Sequence, residues 1–163
     1  METGINALSR QLHDMLIGRS VTIGTAESCT GGGVAQAIVA IPGASEYFKG
    51  GIVSYCNEIK ERLLHVSPQT LESQTAVCED VARQMVIGAC ETLQVDCAVA
   101  LTGLAGSGGG TPGIPVGTIW ISYGSKDDVH TLCLTGDYGR EENLERAKMT
   151  ALELLINYIS RLK

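Results

Sequence analysis

Apolar side chains recur every three or four residues in several stretches of the chain, a spacing typical of amphipathic helices. The clearest example is residues 5–16, whose apolar side chains fall on one face. The same pattern extends over 81–93 and from Glu141 toward the C-terminus. Two shorter segments, 32–41 and 57–66, fit briefer helices. The pattern therefore predicts five helices distributed along the whole chain.

Between these helices lie short apolar runs of the kind that form strands. The first three are residues 21–26, 50–56 and 96–103, the last of which is apolar enough for a strand buried on both faces. Residues 116–124 and 129–136 follow, joined by the turn-like SKDD, and are predicted to be antiparallel neighbours. The alternation of helices and strands predicts an α/β fold with a mixed sheet covered by helices.

Composition narrows the class of protein. The chain has 163 residues, 44% hydrophobic and 18% charged, so we expect one globular domain over residues 1–163. A net charge of −6 argues against nucleic acid as a partner, because such proteins usually carry a basic patch. No signal-peptide pattern and no run near the ~20 apolar residues of a membrane span is present. We therefore expect a cytoplasmic protein with no membrane partner.

The six cysteines suggest a disulfide framework or a zinc site, and both interpretations are disfavoured. No CxxC pair occurs, and the three histidines are not spaced with the cysteines as metal ligands. Several of the cysteines lie in apolar runs, where a thiol serves as a small hydrophobic group. We expect reduced thiols and no bound metal.

The segment TAESCTGGG (25–33) combines a strand end, a tight turn and a helix start. Such a junction presents free backbone N–H groups and the positive end of a helix dipole. Ser28, Cys29 and Thr30 are therefore candidates for a nucleophile or for binding an anion. Locally the alternative has greater weight: Ser28 or Thr30 caps the helix, and the glycines allow it to pack on the sheet.

Two further segments follow strand ends. In SYCNEIK (54–60), Tyr55 and Lys60 could activate a hydroxyl if the lysine is desolvated, with a solvated surface lysine as the alternative; Asn57 is the expected helix cap. The loop over 101–118 is rich in glycine but lacks the Lys-Ser/Thr of a phosphate-binding P-loop and an unbroken GxGxxG. Its position favours a site for a phosphate or carboxylate.

Together these segments resemble the CinA C-terminal domain family, which includes the stand-alone nicotinamide mononucleotide amidases (PncC-like proteins). The similarity rests on TAESCTGGGVAQAI, IPGASEYFKGGIVSYCNEIKERLLHV and TGLAGSGGGTPGIPVGTIWIS, in that order. It implies a three-layer α/β/α sandwich with a mixed, mostly parallel sheet. The implied reaction hydrolyses the carboxamide of nicotinamide mononucleotide to nicotinate mononucleotide and ammonia, a step of pyridine nucleotide salvage.

The resemblance also assigns roles. Ser28 corresponds to the nucleophile, Tyr55 and Lys60 to the activating pair, and backbone N–H groups of the Ser28–Gly32 turn are expected to stabilise the oxyanion. No cofactor is implied, and a homo-oligomer is left open. The residues expected to bind substrate are Thr30, Gly31, Gly32, Asn57, Thr102, Gly103, Gly106, Gly108, Gly109, Gly110 and Arg140.

The chain departs from the family pattern at several of these segments. Cys56 and Cys78 stand where serine is usual, and Ser107 replaces a proline of the glycine-rich loop. In GDYGREENLERA, Arg140 is displaced and Leu144 lies near a second basic position. Two alternatives therefore stay open: a serine amidase acting on another pyridine or ribosyl amide, and a non-catalytic nucleotide-binding module of a competence- or DNA-damage-associated protein.

Overall fold

A computed structural model describes residues 4–162 of the chain. Its five strands form one mixed sheet in the order β2-β1-β3-β4-β5. The strands are β1 (Ile23–Glu27), β2 (Phe48–Val53), β3 (Cys97–Gly103), β4 (Ile119–Ser125) and β5 (Asp128–Leu134). β1 pairs in parallel with both β2 and β3, whereas β3–β4 and β4–β5 are antiparallel. The sheet is therefore parallel around β1 and ends in the antiparallel hairpin expected from the sequence.

Helices cover both faces of the sheet. On one face lie α1 (Gly4–Leu16), α2 (Gly33–Val39) and α6 (Arg140–Ser160), and on the other α3 (Asn57–Leu64), α4 (Pro68–Gln74) and α5 (Glu79–Leu93). The two layers form separate hydrophobic cores because alternate side chains of β3 point to opposite faces. The expected three-layer α/β/α sandwich is confirmed. None of the helices in residues 4–162 is long and apolar enough to cross a membrane.

The helix boundaries differ from the sequence-based predictions at α3 and α4. α4 lies in a segment for which no helix was predicted, and its N-cap Ser67 accepts a hydrogen bond from the N–H of Thr70. Asn57 was expected to cap α3, but the helix begins at Asn57 and Cys56 occupies the N-cap without a side-chain hydrogen bond. Cys78 caps α5, since its Sγ accepts a hydrogen bond from the N–H of Val81.

The order of the strands decides where the site lies. The chain passes from β1 to β2 on one side, then returns past β1 to reach β3 on the other. In open α/β sheets the crevice at such a reversal, beyond the carboxyl ends of the strands, is the usual place for a ligand. The segments that follow β1, β2 and β3 meet at this edge, and they are the three segments with candidate chemistry in the sequence.

Candidate active site

Ser28 follows directly after β1 at the reversal of the strand order. Its backbone N–H donates to the carbonyl of Leu101 in β3, 3.0 Å away, so the pairing of the two strands extends to the serine. The residue is 8% exposed, and it lines a cavity of about 290 Å³. Ser28 is therefore held by the sheet itself, with its side chain at the edge of a ligand-sized space.

Lys60 lies near the start of α3 and is one of the largest fully buried side chains, only 1% exposed. Its Nζ lies 2.9 Å from Ser28 Oγ and donates to the carbonyl of Ser54, 2.8 Å away. Burial lowers the pKa of this amine from the usual value for lysine, because desolvation disfavours the ammonium form. The alternative of a solvated surface lysine is wrong, and the pair is arranged for proton transfer from the serine hydroxyl.

Cys29, the other candidate nucleophile, lies beside Ser28 and also lines the cavity. Desolvation is the main reason that the pKa of its thiol rises to about 11, with the nearby Glu27 carboxylate raising it further. A cysteine attacks as its thiolate, so a thiol with this pKa is unreactive near neutral pH. The structure therefore favours Ser28 over Cys29.

The turn after Ser28 is anchored by Glu27, a residue that the sequence analysis did not select. Glu27 is 1% exposed, and its carboxylate accepts hydrogen bonds from the Thr30 hydroxyl and from the N–H groups of Val34 and Ala35. The proposed caps, Ser28 and Thr30, do not cap α2: Gly32 occupies the N-cap, with no side-chain hydrogen bond of its own. The glutamate between a strand and a glycine-rich helix start was the available signal.

This anchoring changes the expected anion site. The carboxylate of Glu27 already accepts hydrogen bonds from amides in the first turn of α2. Its negative charge therefore offsets the positive end of the helix dipole that was expected to attract an anionic ligand. Of the turn amides expected to hold an oxyanion, Ser28 donates to Leu101 and Gly31 donates to the carbonyl of Ser28. Within this described turn, no backbone carbonyl accepts a hydrogen bond from the amides of Cys29, Thr30 and Gly32.

The opposite wall of the cavity is the start of the glycine-rich loop after β3, which is held by residues at the start of α6. Asn143, 1% exposed, donates to the carbonyl of Ala105 and to the Asp137 carboxylate. Its side-chain oxygen accepts the N–H of Tyr138. Arg140 donates to the carbonyl of Gly106 and lines the cavity. Asn143 is thus a second residue that the sequence analysis missed.

The predicted substrate-binding residues divide into two groups. Asn57, Thr102, Gly103, Gly106, Gly108 and Arg140 line the cavity, together with Ala76, Val77, Leu104 and Ala105. Thr30, Gly31, Gly32, Gly109 and Gly110 do not. Two hydroxyls in the set are committed elsewhere, since Thr30 donates to Glu27 and Thr102 donates to the carbonyl of Ala76. Most of the cavity wall therefore offers backbone groups and apolar side chains.

Tyr55 lies on the rim of the cavity rather than in the buried pair. Its side chain is 64% exposed, and no hydrogen bond joins its hydroxyl to Ser28 or Lys60 in the described structure. β2 ends at Val53, earlier than the predicted strand end, so Tyr55 belongs to the segment that leads into α3. The predicted serine–lysine contact is present, whereas the tyrosine reaches only the shared cavity.

Across residues 4–162 no group of three His, Cys, Asp or Glu side chains could hold a metal ion.

Fold and site together define an α/β/α domain with a buried serine–lysine pair at the carboxyl edge of its parallel strands. Residues 5–159 match the family model described as "CinA C-terminal domain". The chain belongs to this family.

Curated relatives and solved structures agree with this assignment. A CinA-like protein from Leptospira borgpetersenii is 45% identical over 72% of this chain and 28% of its own length. A CinA-like protein from Cyanothece sp. is 41% identical over 92% of this chain and 36% of its own length. The chain thus spans roughly a third of these longer relatives.

Among solved structures, the competence/damage inducible protein CihA from Agrobacterium tumefaciens is similar over 99% of this chain and 100% of its own, with 35% identity and a TM-score of 0.89. A CinA superfamily protein from Klebsiella pneumoniae covers 98% of this chain and 100% of its own, with 29% identity and a TM-score of 0.92. The fold is therefore shared with chains of similar length.

Proposed function

We propose that this chain is an amide hydrolase in which Ser28 is the nucleophile and Lys60 is the general base. One observation carries the proposal: a buried lysine whose Nζ lies 2.9 Å from the hydroxyl oxygen of a cavity-lining serine. Burial makes the neutral amine accessible closer to neutral pH, and only the neutral amine can accept a proton. A capping serine and a solvated lysine would need no such contact.

The reaction would proceed through an acyl-enzyme. Ser28 Oγ attacks the carboxamide carbon while its proton passes to Lys60, and turn amides such as that of Cys29 stabilise the oxyanion, at about 3 kcal/mol for each donor. The tetrahedral intermediate collapses as the C–N bond breaks and the nitrogen takes up the proton, leaving as ammonia. Water then attacks the ester carbon as Lys60 accepts a proton from it. The bond from that carbon to Ser28 Oγ breaks while Lys60 returns the proton to Oγ, and the acid product leaves and loses its own proton to solvent as the carboxylate.

We propose nicotinamide mononucleotide as the substrate. The suggestion comes from the family resemblance, and the cavity has features compatible with it. Apolar side chains of Ala76, Val77 and Leu104 offer contacts for a pyridine ring, and Arg140 supplies a cationic group for a phosphate. A guanidinium has five donors, so its bond to Gly106 leaves others for a ligand. Tyr55, on the rim, could relay a proton to the departing nitrogen.

The test is ammonia release from nicotinamide mononucleotide by the purified protein and by Ser28→Ala, with no metal added. Release by the wild type that disappears in the folded variant supports the amidase and its nucleophile together. Tight binding without release would instead support the nucleotide-binding module. If neither occurs, another pyridine or ribosyl amide becomes the substrate to test, with hydroxamate formation from added hydroxylamine reporting any acyl-enzyme.

A further inference from the structure

Glu27 occupies an unusual place for a carboxylate. It is the last residue of β1, directly precedes Ser28, and is 1% exposed, yet it is not among the residues that line the cavity. Its oxygens accept from the Thr30 hydroxyl at 2.7 Å, from the Val34 N–H at 2.8 Å and from the Ala35 N–H at 3.0 Å. The side chain therefore joins both ends of the turn that carries the serine.

The backbone of Glu27 reaches the other member of the pair. Its carbonyl accepts hydrogen bonds from the N–H of Ser54 at 2.7 Å and from the Ser54 hydroxyl at 3.3 Å. Ser54 is fully buried, and its own carbonyl accepts the hydrogen bond from Lys60 Nζ. A continuous series of hydrogen bonds thus connects Glu27 to Ser54, Ser54 to Lys60 and Lys60 to Ser28, and Ser28 is the next residue after Glu27 in the chain.

We propose that Glu27 is a positioning residue for Ser28: its carboxylate fixes the turn so that the serine oxygen stays within hydrogen-bonding distance of Lys60. The inference rests on the proposed function, because it assigns Glu27 a part in the reactivity of that serine. The glycines at 31–33 give this turn little stiffness of its own. The buried carboxylate supplies the missing constraint through three hydrogen bonds, which are strong because the acceptor is charged.

Two roles for Glu27 lead to different expected results: a cap that only stabilises α2, and a residue that positions Ser28. Loss of a cap lowers the unfolding temperature but leaves the turnover of the folded enzyme unchanged. Loss of positioning lowers turnover at temperatures where the protein is fully folded, since a displacement of about 1 Å can cost on the order of 100-fold in rate. A lower kcat with an unchanged KM in the folded variant therefore indicates positioning, whereas an unchanged kcat indicates a cap.

The test uses Glu27→Gln, Thr30→Val and a control, Glu153→Gln, at an exposed glutamate of α6. The glutamine keeps the shape of the side chain but presents an N–H group to one of its present donors. For ammonia release from nicotinamide mononucleotide we expect Glu27→Gln to lower kcat by about tenfold, with KM little changed. Thr30→Val removes one of the three contacts and causes a smaller loss. Glu153→Gln matches the wild type.

A second measurement keeps this inference separate from the identity of the substrate. A fluorophosphonate probe labels a reactive serine: the oxygen–phosphorus bond forms, the phosphorus–fluorine bond breaks, fluoride leaves, and the hydroxyl proton passes to Lys60. Slower labelling of Ser28 in Glu27→Gln supports positioning even if nicotinamide mononucleotide is not hydrolysed. Unchanged kcat and unchanged labelling in folded Glu27→Gln overturn the inference. A wild type that neither turns over nor labels overturns the proposed function, and this inference with it.

Discussion

The two walls of the cavity are built in contrasting ways. On one wall, Ser28 in the turn directly after β1 and Lys60 in α3 are both buried and contact each other through their side chains. The other wall is the loop around Gly106, and the side chains that hold this loop donate hydrogen bonds to its backbone carbonyls. Arg140 and Asn143 of α6 make those contacts from outside the loop.

The difference separates chemistry from recognition. A proton transfer tolerates little displacement, so the reacting groups belong on elements held by the sheet. A loop with few side chains of its own can approach a ligand closely, and its shape depends on whatever braces it. We therefore expect substitutions on the serine–lysine wall to act on kcat and substitutions on the braced loop to act on KM.

The largest effect is expected for Lys60→Met, which keeps a long side chain but has no proton acceptor. Ammonia release should fall by about 10⁴-fold or more, as when a member of a nucleophile–base pair is removed. Steady-state assays compare it with Lys126→Met, an exposed lysine in the β4–β5 turn. Substantial residual activity in Lys60→Met would show that another group accepts the proton, and the contrast between the walls would fail.

The braced loop is tested by Asn143→Ala. The carbonyl of Ala105 and the N–H of Tyr138 both lose a partner, which should lower the free energy of unfolding by about 2–3 kcal/mol. KM should rise by about tenfold with kcat largely kept, because a loosened loop weakens binding without moving Ser28. Urea denaturation and steady-state kinetics measure both, with Asn157→Ala on the exposed side of the same helix as control. A fall in kcat alone would contradict the separation.

A smaller effect is expected for Tyr55→Phe, which removes only the hydroxyl. Since the side chain is 64% exposed, water can deliver the proton that the hydroxyl would relay, and kcat should fall by at most about tenfold. Tyr138→Phe, at a tyrosine 62% exposed, is a matched control for the assay. A loss close to that of Lys60→Met would mean that the hydroxyl joins the buried pair once substrate binds.

The smallest expected effect is on how the free energy of unfolding depends on pH. Burial lowers the pKa of Lys60 below the 10.5 of an unfolded chain. Between those two values the unfolded state binds more protons, so the contribution of Lys60 to the free energy of unfolding becomes more favourable as pH rises. The partly buried Cys29 and the buried Cys90 and Cys97, whose pKa values are raised chiefly by desolvation, act in the opposite direction.

Cys90 and Cys97 are common to both proteins, so subtracting Lys60→Met from the wild type leaves the contribution of the lysine together with its coupling to Cys29. The coupling acts in the same direction, because loss of the lysine removes an effect that lowers the pKa of the Cys29 thiol. From pH 7 to pH 10 we expect the wild type to gain stability relative to the variant, as measured by urea denaturation at each pH. An unchanged difference would mean that the lysine is charged in the folded protein across this range, against its proposed role as a base.

Local pattern was sufficient for most of the architecture. The helix over Gly4–Leu16 and the buried strand Cys97–Gly103 were predicted to within one residue, because each has a strong periodicity or a continuous apolar run. α4 was missed, since Pro68–Gln74 is short and mostly polar. The end of β2 was placed too late because the alternation of residues continues past Val53, where the pairing with β1 stops.

The candidate site was predicted less evenly. Ser28 and Lys60 were selected by a strand–turn–helix pattern and by the family resemblance, although local chemistry alone favoured a cap and a surface charge. Glu27 was missed although it stands between a strand and a glycine-rich helix start, because the sequence does not show that its carboxylate turns back to the amides of α2. Asn143 was missed because an asparagine in a polar helix start carries no special pattern. Their roles depend on partners distant along the chain or on the precise path of a turn.

Apart from α4, the sequence by itself determined the succession of helices and strands, together with the net charge of −6 and the presence of candidate chemistry after three strands. It did so because periodicity and turn residues act over a few positions. Only the tertiary structure placed β1 between β2 and β3, buried Lys60, and brought its amine to 2.9 Å from Ser28 across 32 residues of chain. Desolvation and hydrogen bonding arise from groups that meet only when the sheet assembles, and these two effects turn an ordinary lysine into a candidate base.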